Sequence, residues 1–181
     1  MKKVVVSMLI LGVVLAVALI GAIALFTDQE EIGNNTFSTG TLDLASDPAT
    51  AMFTVTNMAP GDVTYSDIEL TNDGSLELRY AMTTTPDAGD LDEQLTLTID
   101  VMDDDYSEVL FDDIYDGALS SAFIGNTTAG NQAGDRTLVA ATGIEYLRFT
   151  VTLPLNTGNS FQNTDCTVAF VFDAEQTKNN P

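Results

Sequence analysis

The chain has 181 residues, of which 27 are acidic and 6 are basic, with one cysteine and no histidine or tryptophan. This length suits one ordinary domain with its own core, and a single cysteine excludes a disulfide within the chain, so packing must supply the stability. The formal charge of −21 predicts that the chain repels nucleic acid and anionic lipid, and it favours cations or a saline medium.

A targeting segment opens the chain. Two lysines precede an apolar run over residues 4–26, which closes on a small-x-small pattern of the kind that signal peptidases read. We predict that residues 1–24 are a signal peptide and that Ala22, Ala24 and Leu25 form the processing site. Cleavage there would change the formal charge to −23, because both lysines leave. The run is also long enough to cross a bilayer, so an uncleaved anchor is the alternative and would be the only membrane contact.

After residue 27 the sequence changes to short segments with the two-residue period of half-buried strands. The clearest alternations run over 76–82, 95–101 and 147–153, and the last inward row is Cys166, Val168, Phe170 and Phe172. Such strands, separated by Gly, Pro and Asn turns, predict an all-β sandwich of two antiparallel sheets preceded by the N-terminal signal or transmembrane helix. We place this sandwich at residues 41–178, followed by a tail at 179–181.

Three local patterns qualify this prediction. Between residues 63 and 70 the apolar positions change parity, which indicates a bulge or two short strands. Residues 72–75, Asn-Asp-Gly-Ser, are typical of a tight hairpin turn. Residues 103–134 are the least regular, and a short helix is predicted over 113–122.

The composition argues against conventional hydrolase chemistry. A catalytic zinc site uses about three protein ligands, mostly histidine, and serine or cysteine triads use histidine as the base. Cys166 falls on an inward strand position, which predicts a core thiol rather than a nucleophile. From the residues alone we therefore expect no enzyme activity, no catalytic residue and no cofactor other than calcium.

Calcium is a candidate ligand because the acidic residues cluster. A hard cation takes six to eight oxygen ligands, and the densest acidic stretch could supply several of them. The candidate ligands are Asp103, Asp104, Asp105, Asp112 and Asp113. Their spacing does not match the EF-hand loop, so a solvated acidic loop is the alternative reading.

Two Asn-x-Thr sequons are also present, at Asn34 and Asn126, both in turn-like sequence. They are candidate N-glycosylation sites if the protein is exported in an organism that glycosylates such proteins.

The order of several motifs resembles the TasA and camelysin group of secreted biofilm-matrix and surface proteins, whose signal peptide is handled by a SipW-type signal peptidase. The matching stretches are residues 20–28, 37–44, 57–62, 70–76, 151–154, 159–162 and 170–176. Related archaeal bundling pili look similar. Residues from about 82 to 143 do not share the resemblance.

The resemblance implies a jelly-roll sandwich that polymerises by donor-strand exchange. The mature N-terminal segment, residues 25–40, would supply the donor strand, with Leu25, Phe26, Ile32 and Phe37 as candidate pocket fillers. A strand donated to the next subunit gives a head-to-tail contact, which propagates into an open filament. The partners would be the chain itself and, during export, a signal peptidase.

The sequence therefore predicts a secreted structural subunit of an extracellular fibre, pilus or biofilm matrix. The alternative is a monomeric surface protein, secreted or membrane-anchored, with the metal-dependent peptidase activity that the name camelysin carries. A pilin that keeps the apolar run as a helical filament core is a third class, disfavoured because only three residues precede the run.

Overall fold

The computed structural model describes residues 3–8, 10, 38–50, 53, 57–87 and 91–177. Residues 3–8 and 10 are helical, and none of the helices within these ranges is long and apolar enough to cross a membrane. The processing site, the donor residues and the first sequon lie outside the described residues; these are Ala22, Ala24, Leu25, Phe26, Ile32, Asn34 and Phe37.

Nine strands occur in the described part of the chain. They are β1 (Leu44–Asp47), β2 (Val63–Asn72), β3 (Leu78–Pro86), β4 (Thr96–Met102), β5 (Val109–Ala118), β6 (Phe123–Ile124), β7 (Arg136–Leu138), β8 (Gly143–Thr152) and β9 (Val168–Gln176). Two single 3₁₀ turns, Leu119–Ser121 and Asn159–Phe161, interrupt the loops.

These strands form two antiparallel sheets. The first sheet has the order β1-β2-β8-β4-β5, and the second is built around β3, with β9 on one side and β6 and β7 on the other. The predicted all-β sandwich is therefore confirmed.

The core forms where the two-residue alternation turns apolar side chains inward from both sheets. Fully buried side chains come from β2, β3, β4 and β8, and they include Leu70, Leu78, Tyr80, Met82, Leu97, Ile99, Leu147 and Phe149. The opposite face of the first sheet carries polar residues such as Thr98 and Thr150, whose strand neighbours are buried. Alternation in the sequence thus sets which face each strand buries.

The expected break within residues 63–70 is wrong. Strand β2 is continuous and pairs with β8 without a register shift from Val63 to Asn72. The change of parity arises because Val63 and Tyr65 lie on the outer face, where they are 60% and 62% exposed. Tyr65 is partly covered there by the guanidinium of Arg148, 4.6 Å from its ring centre.

The expected hairpin at residues 72–75 is also wrong, because the strands that it joins lie in different sheets. The side chain of Asn72 holds this connection. Its Nδ2 donates to the carbonyls of Leu76, Leu138 and Val139, and its Oδ1 accepts the N–H of Gly74. Gly74 is required for close packing, since a Cβ there would lie 2.6 Å from the carbonyl oxygen of Thr41.

The helix expected over 113–122 is replaced by the end of β5 and the 3₁₀ turn Leu119–Ser121. Pairing with β4 extends to Ala118, so the ladder to the neighbouring strand overrides the local preference of this segment.

All three arginines of the chain pair with carboxylates of the same molecule. Arg79 contacts Asp135 and Glu175, Arg136 contacts Glu145, and Arg148 contacts Asp67. Because Arg79 is 3% exposed, its two carboxylates are needed to compensate a buried charge. These ion pairs tie β3 to β9 and to the loop before β7, β7 to β8, and β8 to β2.

Candidate functional site

An open apolar groove of about 1250 Å³ lies between the first sheet and β9. Its apolar wall includes Phe53, Ile68, Val151, Phe170 and Phe172. The three phenylalanines pack against the core but stay partly exposed. A groove with this lining offers apolar surface to a second chain.

Strand β9 forms one edge of this groove. It pairs with β3 along its full length, Val168 to Gln176, and no strand in the described part of the chain lies along its other edge. Its side chains alternate between half-buried residues such as Phe170 and exposed ones such as Val171. An edge of this kind presents main-chain donors and acceptors that another strand can pair with.

The loop between β8 and β9 gives the groove a polar wall, which we define as Thr157, Asn159, Gln162, Asn163 and Thr164. The Oγ1 atom of Thr157 is buried and has no hydrogen-bond partner. The hydroxyl of Thr164 donates to the carbonyl of Phe161, 2.7 Å away. The wall therefore carries hydroxyl and amide groups, and the next residue along the loop, Asp165, adds a carboxylate to the groove lining.

Cys166 also lines the groove and is half-buried rather than fully buried. Burial raises the pKa of its thiol above the usual value, and the negative charges of Asp92, Asp87 and Asp165 raise it further. A thiol held in the protonated form is a poor nucleophile, which argues against Cys166 as a catalytic nucleophile. Asp92 is 2% exposed, and its Oδ1 has no hydrogen-bond partner.

The acidic candidates divide into two groups of three. Asp103, Asp104 and Asp105 form one group in the β4–β5 turn, where Asp103 accepts hydrogen bonds from the N–H groups of Ser107 and Glu108. These bonds lower the pKa of Asp103 below its usual value.

The second group joins Asp112 and Asp113 to Asp100, which the sequence reasoning missed. The register of β4 against β5 brings it there, and Asp100 accepts the N–H of Asp113 at 2.8 Å. The charge of Asp112 raises the pKa of Asp113, with smaller contributions from burial, Asp100 and Asp116. The available sequence signal was that Asp100 occupies one of the polar positions in the alternation of its strand.

The donor chemistry of these groups decides which metal they fit. Carboxylate oxygens suit hard cations such as calcium, magnesium or manganese, whereas catalytic zinc normally takes histidine nitrogens. With no histidine in the chain, the residues fit a hard cation and do not fit a histidine-ligated zinc centre.

The second sequon residue, Asn126, lies in the loop after β6. Its N–H donates to Asp135 at 2.8 Å, and its side-chain oxygen accepts the N–H of Thr128 at 2.9 Å. Its glycosylation stays a prediction.

Comparison with protein families gives one match. A family model described as camelysin metallo-endopeptidase matches residues 1–116, which include β1 to β4 and most of β5. No curated protein matches the chain. The expectation that this chain is not an enzyme is therefore wrong, because the matching family is described as a metallo-endopeptidase. The absence of histidine argues only against a histidine-ligated metal centre, so it did not exclude a metallo-endopeptidase.

Proposed function

The chain belongs to the camelysin metallo-endopeptidase family, as a surface protein of the TasA and camelysin type, and from this premise we propose that it is an exported fibre subunit. The subunit polymerises by donor-strand exchange, with the mature N-terminal segment of one copy entering the groove of the next. The fibre is extracellular, as a pilus or as part of a biofilm matrix.

One observation carries the proposal: the outer edge of β9 lacks a strand partner in the described part of the chain, and it borders an apolar groove. A donated strand would satisfy both features at once, because its backbone pairs with the β9 edge while its alternate side chains fill the groove. Phe170 and Phe172 are the β9 side chains that it would cover.

The length of the donor segment suits this role. Residues 25–37 span about 43 Å when extended, whereas the nine residues of β9 span about 30 Å, at roughly 3.3 Å per residue. The segment carries apolar side chains at Leu25, Phe26, Ile32 and Phe37. It is therefore long enough to cover the edge and to leave a short connection to its own subunit.

Electron microscopy of cells that express the full chain tests this function. Wild-type cells should carry filaments, and mass spectrometry of the exported protein should find a start at or near Leu25. Deletion of residues 25–37 should abolish the filaments while a folded β-domain is still made, as judged by circular dichroism.

Point variants guard against a processing defect in the deletion. Ile32→Asp places a charge at a proposed groove contact and should prevent polymerisation. Gln29→Glu adds the same charge at an opposite strand position and should leave filaments intact. Normal filaments from Ile32→Asp or from the deletion would disprove donor-strand exchange.

The family description favours a second candidate function, a metal-dependent peptidase. Asp100, Asp112 and Asp113 are the residues that would hold a hard cation. A cation bound there would polarise a peptide carbonyl and activate a water molecule. The carboxylates would supply the ligand oxygens, and the N–H of Asp113 would keep Asp100 oriented.

Casein cleavage by the purified protein tests the second function. Cleavage that stops with a chelator and with Asp112→Asn/Asp113→Asn supports it. Glu93→Gln, an exposed residue beyond the other end of β4, is the control and should retain activity. Cleavage that survives both the chelator and the double substitution would come from a contaminant.

A further inference from the structure

The proposed donor segment has its acidic residues on the same parity as its apolar ones. Side chains alternate between the two faces of a strand, so Phe26, Asp28, Glu30 and Ile32 face the same way in an extended segment. A donor that buries Phe26 and Ile32 therefore turns Asp28 and Glu30 toward the groove. This inference rests on the proposed function.

Two carboxylates that enter this groove need compensating groups, because an uncompensated charge is costly to desolvate. No lysine or arginine is among the described residues that line the groove, and Asp165 adds a negative charge to that lining. The arginines cannot turn toward it without leaving their own carboxylates, and Arg79 is the most deeply buried of them. The two carboxylates must therefore be compensated by uncharged hydrogen-bond donors.

The polar wall offers such donors. The hydroxyl of Thr157 is buried and unpartnered in the isolated subunit, an arrangement that costs free energy until a partner arrives. The amide groups of Asn159, Gln162 and Asn163 lie along the same wall. A carboxylate accepts from hydroxyl and amide donors, and such charge-assisted bonds are stronger than neutral ones.

We propose that the polar wall is a carboxylate subsite, which receives Asp28 and Glu30 of the incoming subunit and fixes the register of the donor strand. A slip by one residue would present Gln29 and Glu31 and would turn Phe26 and Ile32 out of the groove. Phe37 lies on the opposite parity to Phe26 and Ile32. It can enter the groove only if a β-bulge adds one residue to the donor strand between Ile32 and Phe37, and Gly33 suits such a bulge.

The test measures the critical concentration for polymerisation of the exported protein by sedimentation. Asp28→Asn and Glu30→Gln should each raise it about tenfold, since each weakens charge-assisted hydrogen bonds. Glu31→Gln is the matched control, because it makes the same charge change on the opposite parity. Its critical concentration should stay the same or fall, since it removes only charge repulsion.

Thr157→Val tests the groove side of the contact with little change of shape. Because the hydroxyl has no partner in the subunit, the variant should unfold at the same or a higher denaturant concentration than wild type. Its critical concentration should nevertheless rise severalfold. A purely structural threonine would show the reverse, with lower stability and unchanged assembly.

Three results overturn the subsite. Equal effects of Asp28→Asn, Glu30→Gln and Glu31→Gln would mean that only total charge matters. Tighter assembly of the first two variants would mean that their carboxylates are repelled by the groove. Loss of subunit stability in Thr157→Val without a change in assembly would assign the residue a structural role. A wild-type protein that never polymerises would instead disprove the proposed function, and the subsite with it.

Discussion

The ring of Phe170 meets the ring of Phe149 edge-on, with 5.2 Å between the ring centres and 79° between the planes. Phe149 belongs to β8 of the first sheet and is fully buried, whereas Phe170 belongs to β9 of the second sheet and lines the groove. This contact joins the two sheets beside the groove, so the same side chain supports both the fold and the binding surface.

Phe170→Ala should lower both stability and assembly. Loss of a partly buried aromatic side chain should reduce the free energy of unfolding by about 2 to 3 kcal/mol, as measured by urea denaturation. Filament formation should weaken further at temperatures where the variant is still folded. Val171→Ala, on the exposed face of the same strand, should change neither property measurably. Equal losses in both variants would contradict this assignment of faces.

The hydroxyl of Tyr80 should matter most at high pH. It donates a hydrogen bond to Glu145, which also accepts hydrogen bonds from two nitrogens of Arg136. Burial raises the pKa of Tyr80 well above its ordinary value of 10.0, and the charge of Glu145 adds to the effect. The stability that neutral Tyr80 contributes is therefore complete below pH 10 and is lost as the pH rises through the folded-state pKa.

Tyr80→Phe should lower the free energy of unfolding at neutral pH by about 1.5 kcal/mol, the low end for a hydrogen bond to a charged group. Arg136 still compensates Glu145 in that variant. Above pH 10 the difference from wild type should shrink, because phenylalanine does not ionise. A difference that stays constant up to pH 12 would contradict the raised pKa.

Asp113→Asn should raise the melting temperature at neutral pH. The pKa of Asp113 lies above its usual 3.8, chiefly through the charge of Asp112. The folded state therefore binds more protons than the unfolded state just above that pH, and stability falls as the carboxyl ionises. Asparagine tolerates the left-handed backbone of residue 113, whose φ is 49°, as aspartate does, so the substitution adds no strain there.

The gain from Asp113→Asn should disappear below pH 3.8, where both states are protonated, and should shrink in high salt because salt screens the exposed charges. Asp104→Asn is a control with the same charge change in the neighbouring turn. Differential scanning calorimetry across pH measures both variants. A gain that persists at acid pH would point to the backbone alone.

Asn72→Ala should be among the most destabilising single changes outside the apolar core. The amide nitrogen donates to three carbonyls, and the amide oxygen accepts the N–H of Gly74 at 3.0 Å. Alanine leaves these buried groups without partners, which should lower the free energy of unfolding by about 3 kcal/mol. Asp73→Ala, whose side chain is exposed, should have almost no effect in the same denaturation experiment.

The sequence predicted the strands better than their connections. Alternation located β3, β4, β8 and β9 because burial on one face imposes a two-residue period. It could not show that residues 72–78 cross between sheets, since a hairpin and a crossing use the same turn residues. The alternation also predicted a break in β2, because Tyr65 counts as an apolar position in the pattern. In the structure Tyr65 lies on the outer face, where Arg148 partly covers its ring.

The site was predictable only in part. The apolar row of β9 was visible from the sequence, and the structure places Phe170 and Phe172 in the groove. The polar wall was not, because Thr157 becomes informative only when its hydroxyl is found buried without a partner. Asp100 was missed because strand register, which joins it to Asp112 and Asp113, is a long-range property.

The pairing of every arginine with a carboxylate of its own subunit has a consequence for the exterior of the proposed fibre. A mature subunit would have a formal charge of −23, and its three guanidinium groups are already engaged with carboxylates of the same molecule. Such a fibre would be a polyanion surrounded by mobile counterions. Neighbouring fibres would stay apart in dilute buffer and would associate side by side when divalent ions bridge them.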